Sequence, residues 1–295
     1  MAIFINTNVS ALNGMRYMNN INNQLSTVYQ RLSSGLRINS AKDDAAGLQI
    51  SNRLTTQING LNQGNRNASD GIAFAQTAEG AVDEIGNMLQ KVRTLAVQAN
   101  NGTNTGDDRK ALSAEANQLL NEVQRIVKKT SFGGKTILNG VQDNSLYTGT
   151  KHDDGKMTLQ VGANKGDTID FTVKNMALSK IVANIDGIDI QNGTATVKFS
   201  TAGEPDKVLA TVDKLIAAYD SERAGLGAIQ NRLESSIRNQ ENVAVNQQDA
   251  RARIRDADVA EETAHLAKLN VLQQSVAAML MQANTRPQLG LGLLQ

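Results

Sequence analysis

The chain has 295 residues, of which 40% are hydrophobic, so it can bury a core, but it contains no Trp and only 3% aromatic residues. Its apolar positions are mostly Ala, Val, Ile and Leu, which favours long helices packed side by side over an enzyme with a shaped pocket. With 30 basic and 29 acidic residues and no Cys, the chain gives no electrostatic case for nucleic acid or an acidic membrane, and it offers neither disulfides nor thiolate metal ligands.

The first predicted element is a helix within the first 35 residues. Its apolar residues recur at spacings of four, three and four: Ile21, Leu25, Val28 and Leu32. Such a stripe is typical of an amphipathic helix. Arg31 in the last turn and Gly35 just after it indicate where the helix ends.

A second, longer helix is predicted to begin at Ser40, because Ser40 and Asp43 form an S-x-x-D capping pattern. Apolar residues spaced by three or four carry it to about Asn100: Ile72, Ala75, Ala78, Val82, Ile85, Leu89, Val92, Ala96 and Ala99. The segment NNGTNTG (100–106) predicts a loop. A third helix follows, with its stripe at Leu112, Leu119, Val123 and Ile126.

The hydrophobic period then changes to that of a strand. Alternating apolar residues on both sides of GANKGD predict a β-hairpin: Met157, Leu159 and Val161, then Ile169, Phe171 and Val173. Ala195, Val197 and Phe199 predict one further short strand. Pro205 and Asp206 predict the start of a fourth helix.

The C-terminal segment is again striped as a helix, up to about Pro287: Val259, Leu266, Leu269, Val276 and Leu280. Neither terminal stripe can be buried alone, so the N- and C-terminal helices are predicted to pair as a coiled coil. The predicted fold is therefore mainly α, an elongated helical bundle or coiled coil with a small β-hairpin region in the middle of the chain.

Chemical motifs are weak, and no catalytic, cofactor-binding or metal site is predicted. KTSFGGKT (129–136) ends like a phosphate-binding loop, but Lys129 stands where the first glycine belongs. His152 beside Asp153 and Asp154 is a minimal metal-ligand pattern, for which a solvated loop tip is the favoured interpretation. His265 has no H-E-x-x-H pattern and is predicted to lie on a helix surface.

Four stretches together resemble bacterial flagellin. They are INTN (5–8), RLSSGLRINSAKDDAAGLQIS (31–51), NRNASDGIAFAQTAEGAVDEI (65–85) and RIRDADVAEETAHLAKLNVLQQSVAAMLMQAN (253–284). They occur in the same order as in that family, and the resemblance extends over about the first 140 and the last 90 residues. The chain is similar to a short flagellin that lacks the large outer variable domains.

The resemblance implies a structural subunit that polymerises into the helical flagellar filament, the propeller for swimming. It implies an inner coiled-coil domain of residues 1–43 and 256–295 that lines the filament channel, held by the two terminal stripes. Residues 44–255 would form the outer rod, with a short variable segment at about 141–205. A spoke would carry the chain between the two domains through Gly35, Leu36, Ile38 and Ser40.

The resemblance also sets the expected location and partners. MAIFINTNVS lacks a signal-peptide pattern, and no window reaches the roughly 18 apolar residues of a membrane span, so the residues alone suggest a cytoplasmic protein. Flagellins leave through the flagellum's own export apparatus, which implies a secreted protein of the extracellular filament. Implied partners are further copies of the chain, the export apparatus with its chaperone, and the filament cap and junction proteins, with no cofactor, nucleic acid or membrane.

A vertebrate Toll-like receptor recognises flagellins through a helix that matches Leu89 to Gln98 here. The residues that match its pattern are Gln90, Lys91, Arg93, Leu95 and, on the next helix, Glu115. Lys91 replaces an Arg of the best-recognised members and cannot make a planar bidentate contact, so recognition is expected to be weaker. In the alternative interpretation, Val92 and Leu95 are contacts between protofilaments.

Three other functions stay open at this point. A hook–filament junction protein shares such terminal helices, and so does a secretion-needle or adhesin subunit. An enzyme is the third, because some flagellins carry a protease in the middle of the chain. Residues 141–205 contain no zinc-ligand pair and are too few for that domain.

Overall fold

The computed structural model describes residues 7–147, 153–181, 188–191, 194–199 and 203–292, without the side chains of 191 and 286–292. Its helices are α1 (Val9–Ser34), α2 (Ala45–Ala99), α3 (Gly106–Lys129), α4 (Leu178–Ile181), α5 (Glu204–Arg255) and α6 (Val259–Gly292). Its strands are β1 (Ser131–Phe132), β2 (Lys135–Thr136), β3 (Gly155–Gln160), β4 (Thr168–Val173), β5 (Ile188–Gln191) and β6 (Thr194–Val197). The strands form antiparallel pairs, β1 with β2, β3 with β4 and β5 with β6. The prediction of a mainly α fold with a small β-hairpin region is confirmed.

Helix α1 begins and ends at residues suited to those positions. The Asn8 side chain accepts a hydrogen bond from the Ala11 N–H at 3.1 Å, which satisfies a backbone donor of the first turn. Gly35 has a φ of 69° and donates its N–H to the Arg31 carbonyl. A residue with a side chain rarely adopts this left-handed conformation, so Gly35 ends α1 as predicted.

Helix α2 begins five residues later than the capping pattern predicted. The Asp43 carboxylate accepts hydrogen bonds from the N–H and hydroxyl of Ser40, which closes a turn and does not start a helix. Asp44 caps α2 instead, because its carboxylate accepts the Gly47 N–H at 2.9 Å and its carbonyl accepts the Leu48 N–H. The prediction of Ser40 as the cap was therefore wrong by one turn.

The chain divides into two compact units. The terminal unit comprises residues 1–58 and 245–295, and the central unit comprises residues 59–244. Each unit has its own buried cluster of apolar side chains. The domain boundaries expected at 43/44 and 255/256 stay a prediction.

In the terminal unit, α1 packs against α6. The buried residues of this seam are Ile21, Leu25, Val28, Leu269 and Val276, and Met18, Leu32, Leu266 and Leu280 pack beside them. The helices are antiparallel, because Asn8 near the start of α1 donates to the Ala283 carbonyl near the end of α6, while Arg31 meets Glu262 near its start. The predicted pairing of the two chain ends is confirmed.

Val259 does not take part in this seam and is 58% exposed. Glu262, one turn further along α6, already pairs with Arg31 in the last turn of α1. Val259 therefore lies beyond the end of α1, where there is no helix for it to pack against. The inclusion of Val259 in the paired stripe was wrong, and α6 also continues past the expected end at Pro287 to Gly292.

The central unit has a core between α2, α3 and α5. Fully buried side chains of this core include Phe74, Leu89, Leu120, Leu215 and Tyr219. The stripe predicted for α3 is shifted: Ala116, Leu120 and Val127 are buried with the predicted Val123, whereas Leu112, Leu119 and Ile126 are only partly buried. The choice of face was wrong by one residue because α3 has apolar residues on two adjacent rows.

The predicted β-hairpin is formed by β3 and β4, with Met157 opposite Phe171 and Leu159 opposite Ile169, and Val161 lies just past the end of β3. The strand predicted near Ala195 is β6, although buried Phe199 lies past its end. Its partner β5 and the two-residue strands β1 and β2 were not predicted, because strands this short show no clear alternation.

Candidate assembly surface

Large apolar side chains that remain exposed are concentrated in the terminal unit. Those that lie on α1 and α6 are Val9, Leu12, Met15, Tyr17, Tyr29, Val259, Val271, Leu272, Met279 and Met281. A two-helix hairpin has only one seam, so among the described residues of the unit the apolar side chains outside the seam are left uncovered. Exposed apolar surface on this scale marks a site of association with another protein.

Of the predicted assembly residues, Val259 is the one that lies on this surface. The others belong to the stripe that pairs α1 with α6, and they are buried or partly buried within the chain. The available signal was the number of apolar residues outside that stripe in both terminal segments, for example Leu12, Tyr17 and Val271.

A cavity of about 390 Å³ opens between α1 and α6 near the chain ends. Tyr17 and Met279 line it together with Gly14, Val276 and polar residues of both helices. Gly14 is needed for the close approach here, since a Cβ at this position would come within 2.8 Å of the Leu280 side chain. The cavity gives the assembly surface a concave apolar part.

The predicted spoke is a pair of connecting segments within the terminal unit. The Arg37 N–H donates to the Arg255 carbonyl at 2.7 Å, and the Ala257 N–H donates to the Gly35 carbonyl at 3.0 Å. Leu36 forms an antiparallel bridge with Asp256. Ile38 is 2% exposed and anchors the segment. The outgoing and returning chain are thus hydrogen-bonded to each other.

A polar groove of about 600 Å³ lies beside this pair of segments. Arg31 and Arg37 line it from one side and Glu261, Glu262 and Lys268 from the other. Arg31 Nη1 lies 2.9 Å from Glu262 Oε1, and Glu262 is nearly buried. Charge-assisted hydrogen bonds of this kind are stronger than neutral ones and fix the register of α1 on α6.

Hydrogen bonds in the turn at Ser40 also affect the ionisation of the Asp43 carboxyl group. The N–H and hydroxyl of Ser40 donate to the exposed Asp43 carboxylate and hold its pKa below the usual value. The ionised form of Asp43 therefore favours the turn, and this contribution is lost when the pH falls through the lowered pKa.

The residues expected to meet an immune receptor lie in the central unit. Four of them are exposed: Gln90, Lys91, Arg93 and Glu115. Lys91 and half-buried Leu95 lie one turn apart on the same side of α2. Arg93 lies about 200° around the helix from Leu95, and its Nε donates to Asp213 of α5 at 2.6 Å. The structure brings Lys91 and Leu95 together and does not bring Arg93 to their side.

Val92 belongs to the core of the central unit and has no exposed surface. Its neighbours along the same face of α2, Leu89 and Ala96, are buried as well. The interpretation of Val92 as a contact between protofilaments was therefore wrong, because the side chain is already covered by its own chain.

The weak metal pattern gains no support from the part of the structure that is described. His152 lies outside the described residues. The Asp154 carboxylate accepts the Asn175 N–H, and the Asp153 carbonyl accepts the Val141 N–H. Among the described residues no group of three or more His, Cys, Asp or Glu side chains could hold a metal ion, and no helix there is long and apolar enough to cross a membrane.

Two family models match this chain in the regions that form the long helices. Residues 5–143 match the bacterial flagellin N-terminal helical region, and residues 209–294 match the bacterial flagellin C-terminal helical region. Residues 144–208, which include the β3–β4 hairpin and the β5–β6 pair, are matched by neither.

Whole-length relatives carry the same family name. A flagellin of Halalkalibacterium halodurans is 41% identical over 99% of this chain and all of the relative. Flagellin A of Vibrio anguillarum is 36% identical over the full length of both chains, in an alignment of 379 positions. A solved structure of a putative flagellar hook-associated protein from Vibrio parahaemolyticus has a TM-score of 0.58 over 72% of this chain and all of that one, and at 16% identity it shows a shared fold alone.

An antiparallel pair of terminal helices that leaves much apolar surface uncovered is typical of a protein that associates with other protein subunits. Within that class, whole-length identity and both family models give the same answer: the chain belongs to the bacterial flagellin family. It is a short form without a large variable domain, a structural subunit of the extracellular flagellar filament and not an enzyme. Identity along the whole chain favours this function over the junction, needle and adhesin alternatives.

Proposed function

We propose that this flagellin joins the filament through the terminal unit, whose α1–α6 pair forms the inner layer around the filament channel. The concentration of exposed apolar side chains on α1 and α6 carries this proposal. Burial of this surface by neighbouring copies would remove apolar area from water, which is the main driving force of protein association. Repeating one such contact by a screw operation that does not close gives an open filament.

The proposed layout keeps the predicted boundaries. Residues 1–43 and 256–295 form the inner domain and 44–255 the outer one, with the segment 141–205 on the outer surface. The break between the two family matches falls within or next to that segment, at 144–208. A segment that varies within a family is tolerated best where it touches no neighbour.

We assign the spoke to Gly35, Leu36, Ile38 and Ser40. Gly35 ends α1 with its left-handed backbone, and Leu36 pairs with Asp256. Residues 35–38 of the segment are therefore hydrogen-bonded to the returning chain at Arg255 and Ala257.

The proposal extends to delivery. The chain passes unfolded through the flagellar export apparatus, kept from early association by its chaperone, and adds at the tip next to cap and junction proteins. The seam residues of α1 and α6 support this, because their partners lie more than two hundred positions away along the chain. Because α1 and α6 pair with each other, this unit cannot fold until both ends of the chain have left the export apparatus.

The proposed assembly surface is tested with two single variants, each of which adds one negative charge at a different site. Val271→Asp adds a carboxylate to an exposed position of α6, and Thr172→Asp adds one to an exposed position of β4, where Lys156 stands opposite. Val271→Asp should raise the critical concentration for polymerisation at least about tenfold, since an unpaired buried charge is costly, whereas Thr172→Asp should leave it unchanged. Sedimentation and electron microscopy of polymerising chains measure both.

The two outcomes are separable from misfolding by the helical content of each free variant. Normal filaments from Val271→Asp would contradict the proposed surface. Filaments from a chain lacking 256–295 would contradict the role of the terminal unit as a whole.

We further propose that the side of α2 with Lys91 and Leu95, together with Glu115 of α3, meets a vertebrate Toll-like receptor. Lys91 and Glu115 are exposed, and Leu95 is half-buried. Lys91→Arg should increase signalling in receptor-bearing cells, because guanidinium makes planar bidentate contacts that ammonium cannot. Lys110→Arg, also exposed on α3, is the matched control. Equal signalling from the Lys91→Arg and unmodified chains would count against the site.

A further inference from the structure

The methionines that the structure describes fall into two groups by exposure. Met15, Met279 and Met281 are 50%, 60% and 68% exposed, whereas Met18, Met88 and Met157 are partly buried and Met176 is buried. The sequence contains no Cys and no Trp. The exposed thioethers are therefore the side chains that an oxidant in solution reaches and attacks first.

The three exposed methionines lie at the same end of the α1–α6 pair. Met279 lines the cavity beside Tyr17, whereas Met281 lies two residues later, about 200° around α6, and is exposed on another side of the pair. Met15 adjoins Gly14, which is in close contact with Leu280. All three thus belong to the apolar surface that we propose neighbouring subunits cover.

We infer that Met15, Met279 and Met281 form a reversible oxidation site that controls entry into the filament, an inference that rests on the proposed function. The reacting partner is a small peroxide, such as hydrogen peroxide. Each thioether sulfur takes one oxygen atom from the peroxide and becomes a sulfoxide. The O–O bond breaks, sulfur loses two electrons, and the remaining oxygen leaves as water with both hydrogens.

The sulfoxide changes the surface in the way that matters for association. Oxidation turns a flexible apolar side chain into a polar one with a strong acceptor oxygen. Burying that oxygen against apolar neighbours without a donor is unfavourable. An oxidised free chain therefore adds poorly to a filament, while a chain already in place has these thioethers covered and escapes oxidation.

The reaction is reversed by reduction. A methionine sulfoxide reductase removes the oxygen as water and restores the thioether, while two thiols of the reductant supply the two electrons and two protons and join as a disulfide. Oxidised chains that could not add to a filament can therefore do so again after reduction, without new protein synthesis.

The first experiment maps the oxidised positions. Free chains and preformed filaments are treated with dilute hydrogen peroxide and digested, and each methionine peptide is weighed by mass spectrometry. In free chains Met15, Met279 and Met281 should oxidise at least about tenfold faster than Met176, as their exposure demands. In filaments this difference should vanish. Equal rates for all four in free chains would overturn the inference.

The second experiment measures assembly. Peroxide-treated chains should show a critical concentration at least about tenfold higher than untreated ones, and treatment with the reductase should restore it. The triple variant Met15→Leu, Met279→Leu, Met281→Leu keeps apolar side chains of similar volume and should polymerise after peroxide as before it. Met18→Leu, which alters a seam methionine of α1, is the matched control and should stay sensitive.

The outcomes distinguish this inference from the proposed function. Untreated chains that polymerise, with treated chains that polymerise equally well, overturn the oxidation site alone. If the Val271→Asp variant polymerises without peroxide as well as the unmodified chain does, the proposed surface is overturned.

Discussion

At the scale of single residues, three glycines of α2 decide how closely the β3–β4 hairpin approaches the helix. A Cβ at Gly60 would come within 2.7 Å of Ala163, and one at Gly64 would overlap the Val161 carbonyl oxygen. One at Gly71 would overlap the Leu159 side chain. Backbone cannot move aside as a flexible side chain can, so Gly64 is the most constrained of the three.

Gly64→Ala should therefore lower the stability of the central unit by about 1–3 kcal/mol. The overlap with a backbone carbonyl forces the hairpin away from α2. Thermal unfolding followed by circular dichroism measures the effect.

Gly80→Ala is its matched control in the same helix. No atom lies within 4 Å of a Cβ at Gly80. The change should stabilise by about 0.5–1 kcal/mol, because alanine loses less backbone freedom in a helix. Equal effects at the two positions would show that the hairpin does not press on α2.

Glu222 of α5 is a buried residue whose carboxyl group meets the chain just after β4. Its Oε1 accepts the Lys174 N–H at 3.1 Å, and Asp154 and Tyr147 are the other ionisable groups whose charge it feels or influences. Burial raises the pKa of Glu222 above its ordinary value, and nearby Asp154 adds to this, against the lowering by Lys174. Ionisation of Glu222 is therefore unfavourable in the folded chain.

The sign of the pH dependence follows. Because the folded pKa lies above the unfolded one, the folded state is favoured at low pH and loses this advantage as the pH rises from about 4.5 through the raised value. Glu222→Gln keeps an oxygen for the Lys174 N–H and should unfold at a higher temperature than the unmodified chain at pH 7, with little difference at pH 4. An identical pH profile for the two chains would contradict this account.

At the scale of elements, the structure and the sequence pattern disagree about which residue caps the start of α2. Asp44→Ala removes the carboxylate that accepts the Gly47 N–H and should destabilise the first turn of α2 by about 1 kcal/mol. Hydrogen exchange of the Gly47 amide should become roughly fivefold faster. Ser40→Ala, which alters only the preceding turn, should leave that amide unchanged, and the reverse result would restore Ser40 as the cap.

Periodicity predicted the elements whose apolar residues face one partner. The seam residues Ile21, Leu25, Leu269 and Val276 follow from spacing alone, since a lone amphipathic helix needs one partner along one row. In α3 spacing left two adjacent rows open, and only the packing of the central core, in which Ala116 and Leu120 are fully buried, selects between them. The prediction that Val259 belongs to the seam was wrong for a different reason. The seam stops where α1 ends, and no pattern in the sequence of α6 indicates where α1 ends.

The assembly surface was beyond the reach of the sequence pattern. Leu12, Tyr17 and Val271 look like irregular apolar residues until the seam is known, and only then do they stand out as uncovered. Likewise the pairing of Arg93 with Asp213 joins residues 120 positions apart, and no local pattern indicates it.

At the scale of the whole molecule, opposite charges nearly cancel, with 30 basic and 29 acidic residues. Assembly through apolar surface should then respond to salts by their effect on apolar hydration and not by screening. Ammonium sulfate should lower the critical concentration, and sodium chloride at equal ionic strength should change it little. A critical concentration that rises steeply with sodium chloride would show that ion pairs between subunits carry the contact.

The hydrogen bond from Asn8 to Ala283 spans 275 positions and sets an order in time. When the chain is made from its first residue onward, Ile21 and Leu25 are finished long before Leu269 and Val276 exist. The seam between α1 and α6 therefore cannot form before the chain is complete, which agrees with the proposed passage of an unfolded chain through the export apparatus. The residues of the chain that are made last are the ones against which the first helix packs.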